Sequence, residues 1–321
     1  MSEVLRAVFI IPYFGRIPEY FHLWLKSAEA NPDFTFFIYS DIHFPVSECS
    51  NVKIKHITFE QIQEKIKEKI DKNCKLNTPY KLCDYKPAYG YLFSEDIAAF
   101  DFWGFCDLDL IFGNIGKIIT QTVLQNNDKI LMHGHFCLMR NSKKMALLFK
   151  QRYQTVLDFD YTKSTNYICH FDENGTIAYA PDFDNEIRYS FFHCFYDVPV
   201  WNYRMTFDGS EACVFWENGT LTQYWNNAKC FREILYIHLQ KRKMIRIPQQ
   251  VNGRLVIYRN IFLDNSTLSP ADILALPLQS EEKDDFTKRR KKFRRREIIK
   301  NIFAGALKFR FFRFINHWQS R

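Results

Sequence analysis

The sequence has little glycine or proline and no long uncharged apolar run. Of its 321 residues only 11 are Gly and 11 are Pro, which excludes collagen-like and low-complexity chains. No stretch of about 18 uncharged apolar residues occurs, so we expect no membrane-spanning helix. The N-terminal apolar stretch is short and lacks a small-residue cleavage site, and we expect no secretory signal. The remaining composition, 47% hydrophobic with 25% charged residues, is typical of a globular protein.

The nine cysteines lack the spacing of a metal or redox motif. Their number is odd, no C-x-x-C occurs, and several lie in apolar surroundings, such as Cys106 and Cys137. We therefore expect buried thiols in a reducing compartment, which favours a cytoplasmic protein.

Excess positive charge is missing from most of the chain. Residues 281–321 hold 14 Lys or Arg against 5 Asp or Glu, whereas residues 1–280 hold 30 against 31. Because the net charge of +8 belongs to the C-terminal segment, we expect no nucleic-acid partner for the chain as a whole.

The first half of the chain alternates between apolar runs and amphipathic stretches. This order predicts an α/β fold with a mixed, mainly parallel sheet flanked by helices. The predicted strands are 4–11, 34–40, 52–57, 100–106, 129–133 and 136–140. Predicted helices begin at Pro18, Thr58, Lys86 and Asn141, and the last two are expected to run to about Ala99 and Tyr153.

The pattern divides the chain into a globular part and a tail. Residues 1–265 form the predicted globular domain, with a regular half at 1–150 and a less regular, aromatic-rich half at 151–265. Residues 266–321 are the predicted linker and basic tail, and 264–278 is expected to be a loop.

The tail combines a block of cations with apolar residues that share a helical face. This pattern predicts an amphipathic helix that binds an anionic membrane surface through residues 288–318. Alternatives are a disordered tail, a nucleic-acid-binding segment, or a helix packed on the domain or on a second subunit. The apolar residues are Ile298, Ile299, Ile302, Phe303, Leu307, Phe311 and Phe314.

Asp-x-Asp occurs three times, whereas about one occurrence is expected by chance. Only Asp107 and Asp109 follow a predicted buried strand, while the pairs at 158/160 and 182/184 lie in polar or turn-like surroundings. Adjacent carboxylates at the end of a buried strand favour a neutralising cation, and their hard oxygens suit Mg²⁺ or Mn²⁺. The alternative is that both are solvated loop residues or helix caps.

Four segments in this order resemble the GT-A glycosyltransferases that use nucleotide sugars. They are PYFG after the first strand, YSD after the second, YKLCDYKPAYGYLF, and FWGFCDLDLIFGNI. The resemblance covers roughly residues 4–260 and is strongest to bacterial capsular and lipopolysaccharide glycosyltransferases related to the glycogenin-type enzymes. It implies a GT-A, Rossmann-like fold for the catalytic domain.

The resemblance implies a metal site. Asp107 and Asp109 match the Asp-x-Asp that binds a divalent metal and the donor, and His238 in REILYIHLQKRKM matches a late histidine on the same metal. Lys241 and Lys243 match a following lysine that meets the diphosphate, although the Gly and the Pro-Trp of the glycogenin-type motif are missing here. From the residues alone, a partly buried helix position is the favoured interpretation of His238, and only the resemblance reverses that preference.

The resemblance also places residues at the nucleotide of the donor. Tyr13 and Phe14 are expected to stack on the base, and Asp41 to accept its hydrogen bonds. Ordinary loop and packing roles are the alternative for all three.

Three residues match the segment that passes over the donor in related families. Lys81 and Lys86 are expected to offset phosphate charge, and Asp84 to hold a sugar hydroxyl. Surface charge is the alternative.

Two further segments match the sugar and acceptor sides of the site. His133-Gly134-His135 resembles a small-residue turn beneath the donor sugar, and we do not expect a zinc site there because no third ligand is near in sequence. Asp172 and Glu173 match the acceptor side, where one of them would orient the acceptor hydroxyl or stabilise the oxocarbenium-like centre. A polar turn is the alternative.

Together these features predict a Mn²⁺- or Mg²⁺-dependent glycosyltransferase. It would move a sugar from a nucleotide donor, a UDP-sugar by resemblance, to a cell-surface polysaccharide or lipid-linked glycan. We expect it to act in the cytoplasm, peripherally on the inner face of the cytoplasmic membrane; similarity to the glycogenin-type group suggests retention of configuration. The alternatives are a sugar-phosphate or nucleotidyl transferase, and a non-enzymatic peripheral membrane-binding protein.

Overall fold

A computed structural model describes residues 4–154, 156–307 and 309–310. The strands are β1 (Ala7–Pro12), β2 (Phe34–Ser40), β3 (Val52–His56), β4 (Phe102–Cys106), β5 (Leu110–Phe112), β6 (Lys129–His133), β7 (Phe136–Arg140), β8 (Tyr189–Ser190), β9 (Phe195–Asp197), β10 (Thr206–Phe207), β11 (Ser210–Glu217), β12 (Thr220–Trp225), β13 (Cys230–Glu233), β14 (Tyr236–His238), β15 (Leu255–Tyr258) and β16 (Ile261–Asp264).

Helices flank these strands. They are α1 (Phe21–Glu29), α2 (Phe59–Lys69), α3 (Tyr89–Leu92), α4 (Ile115–Ile118), α5 (Gln121–Asn126), α6 (Lys143–Ala146), α7 (Phe159–Ser164), α8 (Phe171–Asn174), α9 (Thr176–Phe183), α10 (Pro270–Leu274) and α11 (Ser280–Ala304), with 3-10 helices at Pro79–Ala88 and Leu148–Lys150.

The central layer is a seven-stranded sheet of order β3-β2-β1-β4-β7-β6-β8. Strands β3, β2, β1 and β4 run parallel, β7 is antiparallel to β4 and β6, and β8 is parallel to β6. The continuous apolar runs of β1, β2 and β4 are buried, as expected for strands covered on both faces. The prediction of a mixed α/β fold with a mainly parallel sheet is confirmed.

Parallel strands bring the loops of the candidate site to one edge of this sheet. β1 leads into Tyr13, β2 into Asp41 and β4 into Asp107, and the carboxyl ends of neighbouring parallel strands share an edge. The Ser40 hydroxyl donates to the carbonyl oxygen of Tyr13 at 2.6 Å and ties the first two loops together.

A three-stranded sheet of order β5-β14-β9 extends this edge. β14 pairs antiparallel with β5, which sets His238 opposite Leu110, and parallel with β9, which sets His238 opposite Asp197. These short strands bring residues from distant parts of the sequence to Asp109.

An antiparallel sheet of order β13-β12-β11-β15-β16 forms a separate layer, with β10 paired to β11. The indole N–H of Trp216 on β11 donates to the carbonyl oxygen of Phe112 at 2.9 Å. This buried hydrogen bond connects the layer to β5.

Three predicted segments are wrong in detail. The helix expected from Lys86 is instead a 3-10 helix followed by the single turn of α3, because Pro87 lacks an N–H and disfavours α-helical backbone before it. The helix expected over 143–153 is limited to α6 and a 3-10 turn. The loop expected over 264–278 contains α10, whose capping box joins Ser269 and Asp272.

All nine cysteines are free, and Cys106 and Cys137 are buried, as predicted. None of the helices in the described ranges combines the length and apolar character required to cross a bilayer.

The C-terminal helix α11 packs on the loops that follow β9 and β14. Phe286 is buried and contacts the Tyr203 ring at 5.7 Å between centroids, and the Tyr203 hydroxyl donates to Glu282 at 2.6 Å. The Arg290 guanidinium donates to the carbonyl oxygen of Gln240 at 3.2 Å. The exposed apolar residues of α11 are Phe293, Ile298, Ile299, Ile302 and Phe303. Phe311 and Phe314, expected on the same face, lie outside the described residues.

Candidate metal centre

Asp107 lies directly after β4, and its backbone is held on both sides. Its N–H donates to the carbonyl oxygen of His135 at 3.1 Å, and its own carbonyl accepts the indole N–H of Trp24 at 3.2 Å. The side chain is 35% exposed and therefore open to solvent at the edge of the sheet.

Asp109 is the buried member of the pair. Its Oδ2 accepts the backbone N–H of Lys241 at 2.8 Å, and its Oδ1 lies 3.4 Å from Nε2 of His238. Burial by itself would raise the pKa of this carboxyl, but the charge and hydrogen bond of His238, with the Lys241 amide, lower it below its usual range.

His238 lies between two carboxylates. Its Nδ1 is 2.7 Å from Oδ1 of Asp197, and its Nε2 faces Asp109. Burial lowers the pKa of the imidazole, but Asp109 and then Asp197 outweigh burial and raise it to about 10. At neutral pH the metal-free ring is therefore a cation held between two anions.

Asp107, Asp109 and His238 form one group whose ligand atoms lie within 4.8 Å of one another. Ligands of an octahedral divalent ion lie roughly 3 Å apart, because each is about 2.1 Å from the metal. Two carboxylate oxygens and one imidazole nitrogen suit Mn²⁺ and tolerate Mg²⁺. The donor set of these three residues therefore fits the predicted metal.

Two other groups in the described part of the chain have ligand atoms equally close together. One contains His135, Asp197 and His238, on the opposite edge of the same imidazole; the other contains Cys83, His170 and Asp172.

Lys86 connects the predicted metal site to the predicted acceptor side. Its ammonium lies 2.7 Å from Oδ1 of Asp107 and 3.3 Å from Oδ2 of Asp172, and it donates to the carbonyl oxygen of Gly134 at 2.6 Å. Burial lowers the pKa of Lys86, but Asp107 and Asp172 raise it well above its ordinary value. The amine is therefore a permanent cation between two carboxylates.

Asp172 is only 4% exposed, and burial is the main cause that raises its pKa to about 7. Lys86 opposes this shift, whereas Glu173 and Asp107 add to it. Within the described ranges, Oδ1 of Asp172 is buried and has no hydrogen-bonding partner. Such a carboxyl exchanges a proton near neutrality, which is the property required of a general acid or base. Glu173 is exposed next to it.

Gly134 packs against this carboxyl. A β-carbon at position 134 would lie 2.6 Å from Oδ2 of Asp172 and 2.6 Å from Cγ of Glu173. The turn therefore requires glycine for close approach, although the atoms approached belong to the two acidic residues.

The two histidines beside Gly134 are stacked in one column. The ring of His135 lies 5.0 Å from that of His133 and 4.2 Å from that of His238. Nε2 of His135 is 3.0 Å from the Tyr236 hydroxyl, and burial, with the charge of His238, lowers the pKa of His135 well below its ordinary value. His135 thus contacts a predicted metal ligand, whereas its proposed contact with the sugar donor stays a prediction.

Lys81 and Asp84 have structural partners. Lys81 donates to Asp84 at 2.6 Å and to the carbonyl oxygens of Thr162 and Tyr167 at 3.0 and 2.6 Å, and it is only 1% exposed. The carboxylate of Asp84 also accepts the backbone N–H groups of residues 169 and 171, both at 2.9 Å. The pair therefore holds the segment before α8, and we leave both residues out of the donor site proposed below.

The three residues expected at the nucleobase have different surroundings. Tyr13 donates to the carbonyl oxygen of Arg16 at 2.6 Å, and its pKa is raised by burial and by the charge of Asp109. Phe14 packs on Phe59 with 5.4 Å between centroids. Asp41 is exposed at the end of β2.

The two candidate lysines after His238 also have different surroundings. The amide of Lys241 binds Asp109, and its ammonium lies 3.7 Å from the centroid of the Tyr80 ring. Lys243 lies close to α11, where its charge, after that of Arg289, lowers the pKa of Asp285. Lys241 is therefore the better placed of the two for a donor phosphate.

Two residues of this site, Asp197 and Tyr236, carry no sequence motif that predicts them. Asp197 bonds His238, and Tyr236 bonds His135. Both lie on three-residue strands within an irregular aromatic region, and only the strand register brings them to the site.

The fold and this site define a mixed α/β protein with a carboxylate–histidine centre at the carboxyl edge of its sheet. Residues 9–266 match a protein family described as a family of unknown function, DUF6625, and the chain belongs to that family. No curated protein and no solved structure matches the sequence significantly.

Proposed function

We propose that the chain is a metal-dependent glycosyltransferase of the GT-A type. It would transfer a sugar from a nucleotide donor, a UDP-sugar, to a cell-surface polysaccharide or lipid-linked glycan, with Asp107, Asp109 and His238 holding Mn²⁺ or Mg²⁺.

One observation carries the proposal. The resemblance assigns Asp107, Asp109 and His238 to one metal from three positions in the sequence, and their ligand atoms lie within 4.8 Å of one another. An Asp-x-Asp pair does not by itself gather such ligands. The other two pairs belong neither to this group nor to the two further groups found among the described residues. This convergence supports a common ligand for the three residues.

In the proposal, each part of the site has a distinct task. The bound metal would supply positive charge that stabilises the leaving diphosphate. Lys241, exposed beside Tyr80, would contact the diphosphate. Asp172 would accept a hydrogen bond or proton from the acceptor hydroxyl at Oδ1, and Lys86 would hold this carboxyl in place.

The test is binding and turnover by the full chain. We expect Mn²⁺ to bind, UDP to bind only when Mn²⁺ is present, and Asp109→Ala to abolish both. A ligand at about 100 times its dissociation constant adds roughly 2.7 kcal/mol to the free energy of unfolding, so thermal unfolding will report it. The matched control is Asp182→Ala, which removes an exposed carboxylate from another Asp-x-Asp pair.

Several outcomes discriminate between functions. Release of UDP from a UDP-sugar supports a glycosyltransferase, whereas release of a nucleoside monophosphate supports the sugar-phosphate or nucleotidyl transferase alternative. If neither Mn²⁺ nor any of UDP, GDP, CMP and TDP changes the unfolding temperature, the proposal is wrong.

We propose further that α11 attaches the protein to the anionic inner face of the cytoplasmic membrane. Along this helix, a block of cations at 288–296 is followed by exposed apolar side chains, among them Ile299 at 57% and Phe303 at 87%. Cations near an anionic surface contribute about 1 kcal/mol each, and buried apolar side chains add to this.

Co-sedimentation with vesicles tests this attachment. We expect binding to vesicles that contain phosphatidylserine, weaker binding to pure phosphatidylcholine, and loss of binding in the double variant Ile299→Ser/Phe303→Ser. The control is Val4→Ser, which removes an exposed apolar side chain far from α11 in sequence. Equal binding of all variants would contradict the attachment.

A further inference from the structure

The carboxylate of Asp197 lies behind His238, on the side of the ring that faces away from Asp109. β9 and β14 run parallel with Asp197 opposite His238, and the N–H of Val198 donates to the carbonyl oxygen of His238 at 3.0 Å. This backbone pairing places the two side chains next to each other on neighbouring strands, and Oδ1 of Asp197 lies 2.7 Å from Nδ1 of His238.

A second residue holds Asp197 in that position. The side-chain amide of Gln240 donates to the same Oδ1 at 2.7 Å. Gln240 and Lys241 have φ values of 56° and 54°, in the left-handed region, and this turn also presents the Lys241 amide to Asp109. One turn therefore binds the carboxylates on both sides of the imidazole.

We propose that Asp197 is a positioning residue that selects the tautomer of His238. By accepting a hydrogen bond from Nδ1–H, it leaves the unprotonated Nε2, which faces Asp109, to bind the metal. The inference rests on the metal site of the proposed function.

Ring chemistry explains why such a residue is needed. Neutral imidazole carries its proton on either nitrogen, and only the unprotonated nitrogen binds a metal. A carboxylate on the far nitrogen fixes both the tautomer and the ring orientation, and it increases the basicity of the ligating nitrogen. The ring of His135 stacks on the face of the His238 ring, with 4.2 Å between centroids, and this contact also restricts rotation of the His238 side chain.

The experiment measures Mn²⁺ affinity of the full-length chain by electron paramagnetic resonance, without substrate. We expect Asp197→Ala to weaken Mn²⁺ binding by roughly 10- to 100-fold, the usual effect of losing a carboxylate that orients a ligand histidine. Asp197→Glu should recover part of this loss, because the carboxylate is retained. The matched control is Asp208→Asn, an exposed change in the turn before β11 that should leave affinity unchanged.

A second measurement separates positioning from general structural damage. In the Mg²⁺-loaded protein, long-range ¹H–¹⁵N spectra of His238 should show a protonated Nδ1 and a metal-bound, unprotonated Nε2. Asp197→Ala should yield a second population in which the two nitrogens have exchanged roles, because no carboxylate then holds Nδ1 away from the metal. Loss of folding alone would not change the tautomer of the folded fraction.

The remaining outcomes distinguish the inference from the proposed function. If His238→Gln weakens Mn²⁺ binding and Asp197→Ala does not, the positioning role is wrong while the metal site stands. If neither variant changes Mn²⁺ binding, the metal site itself is wrong. If Asp197→Ala abolishes binding that Asp109→Ala leaves intact, the metal lies with His135 and Asp197, and the inference is overturned.

Discussion

Gly134 and Asp172 are in contact such that a β-carbon on the glycine would lie 2.6 Å from Oδ2 of the carboxylate. The same glycine gives its carbonyl oxygen to Lys86, which also binds Asp172. The turn after β6 and the start of α8 therefore share the ammonium of Lys86. We expect a substitution in one of these segments to shift the position of the other.

Gly134→Ala should displace Asp172 and Glu173 while leaving the proposed metal ligands in place. Overpacking of this kind costs about 1–3 kcal/mol in the free energy of unfolding. In the proposed enzyme we expect kcat to fall by about tenfold or more with Mn²⁺ affinity unchanged. The measurement is steady-state kinetics beside a Mn²⁺ titration.

Gly116→Ala is the control for that experiment. A β-carbon there would meet its nearest neighbour at 3.8 Å, which is ordinary contact. Full activity in Gly134→Ala would show that Asp172 is not needed in its observed position.

Lys86→Met should destabilise the protein by about 3 kcal/mol or more, because the variant leaves Asp172 buried without its cation. The pKa of Asp172, already raised to about 7 by burial, should rise further when Lys86 no longer lowers it. A carboxyl with a raised pKa binds more protons in the folded state, so the penalty should grow as the pH rises above 7. Urea unfolding at pH 5.5, 7 and 8.5 measures this trend.

Two variants calibrate the Lys86 result. Lys86→Met/Asp172→Asn removes both charges and should recover most of the loss at pH 8.5. Lys69→Met breaks an ion pair whose Glu95 partner is 79% exposed, and it should change stability by only about 0.5 kcal/mol. A pH-independent penalty in Lys86→Met would contradict the coupling between Lys86 and Asp172.

The raised pKa of His238 predicts a loss of stability at alkaline pH in the metal-free protein. Because the folded pKa of about 10 lies above the ordinary value of 6.5, the stabilisation is fully present below about pH 6.5 and disappears as the pH rises through 10. His238→Gln should lack this dependence. Unfolding in EDTA at pH 6.5, 8 and 9.5, with the difference between the two proteins plotted against pH, tests the assignment; a constant difference would refute it.

The Lys81–Asp84 pair predicts a structural defect without a binding defect. Lys81→Met should cost about 3–5 kcal/mol, the usual effect of removing one partner of a buried pair. The fraction that remains folded at low temperature should keep its Mn²⁺ affinity, because Lys81 contacts carbonyl oxygens and Asp84 rather than the metal ligands. Arg16→Ala, which breaks an exposed pair with Glu19, is the control and should be nearly neutral.

Regular elements were predictable from local patterns. The continuous run of β2 and the adjacent strands β6 and β7 match their predicted bounds, and the capping box of Thr58 and Gln61 begins α2 as expected. In each case the physical cause is local: burial on both faces of a strand, or two side-chain hydrogen bonds within one turn.

The site was only partly predictable, for a related reason. Asp107 and Asp109 are marked by the buried strand before them, whereas the role of Asp197 depends on parallel pairing between β9 and β14. The sequence predicts Lys81 and Asp84 at the donor, with surface charge as the alternative, and only the carbonyl oxygens and amides of residues 162–171 make them a buried pair. No periodicity encodes a contact between segments so far apart.

The hydrogen bond from the amide of Lys241 to Asp109 joins positions that are 132 residues apart in the chain. During synthesis, Asp109 leaves the ribosome on the order of ten seconds before its partner, at the usual rates of translation. In that interval the carboxylate has neither the amide nor the imidazole of His238 beside it. A nascent chain cannot assemble this centre, so in the proposed enzyme metal would be loaded only after β14 and the turn behind it are complete.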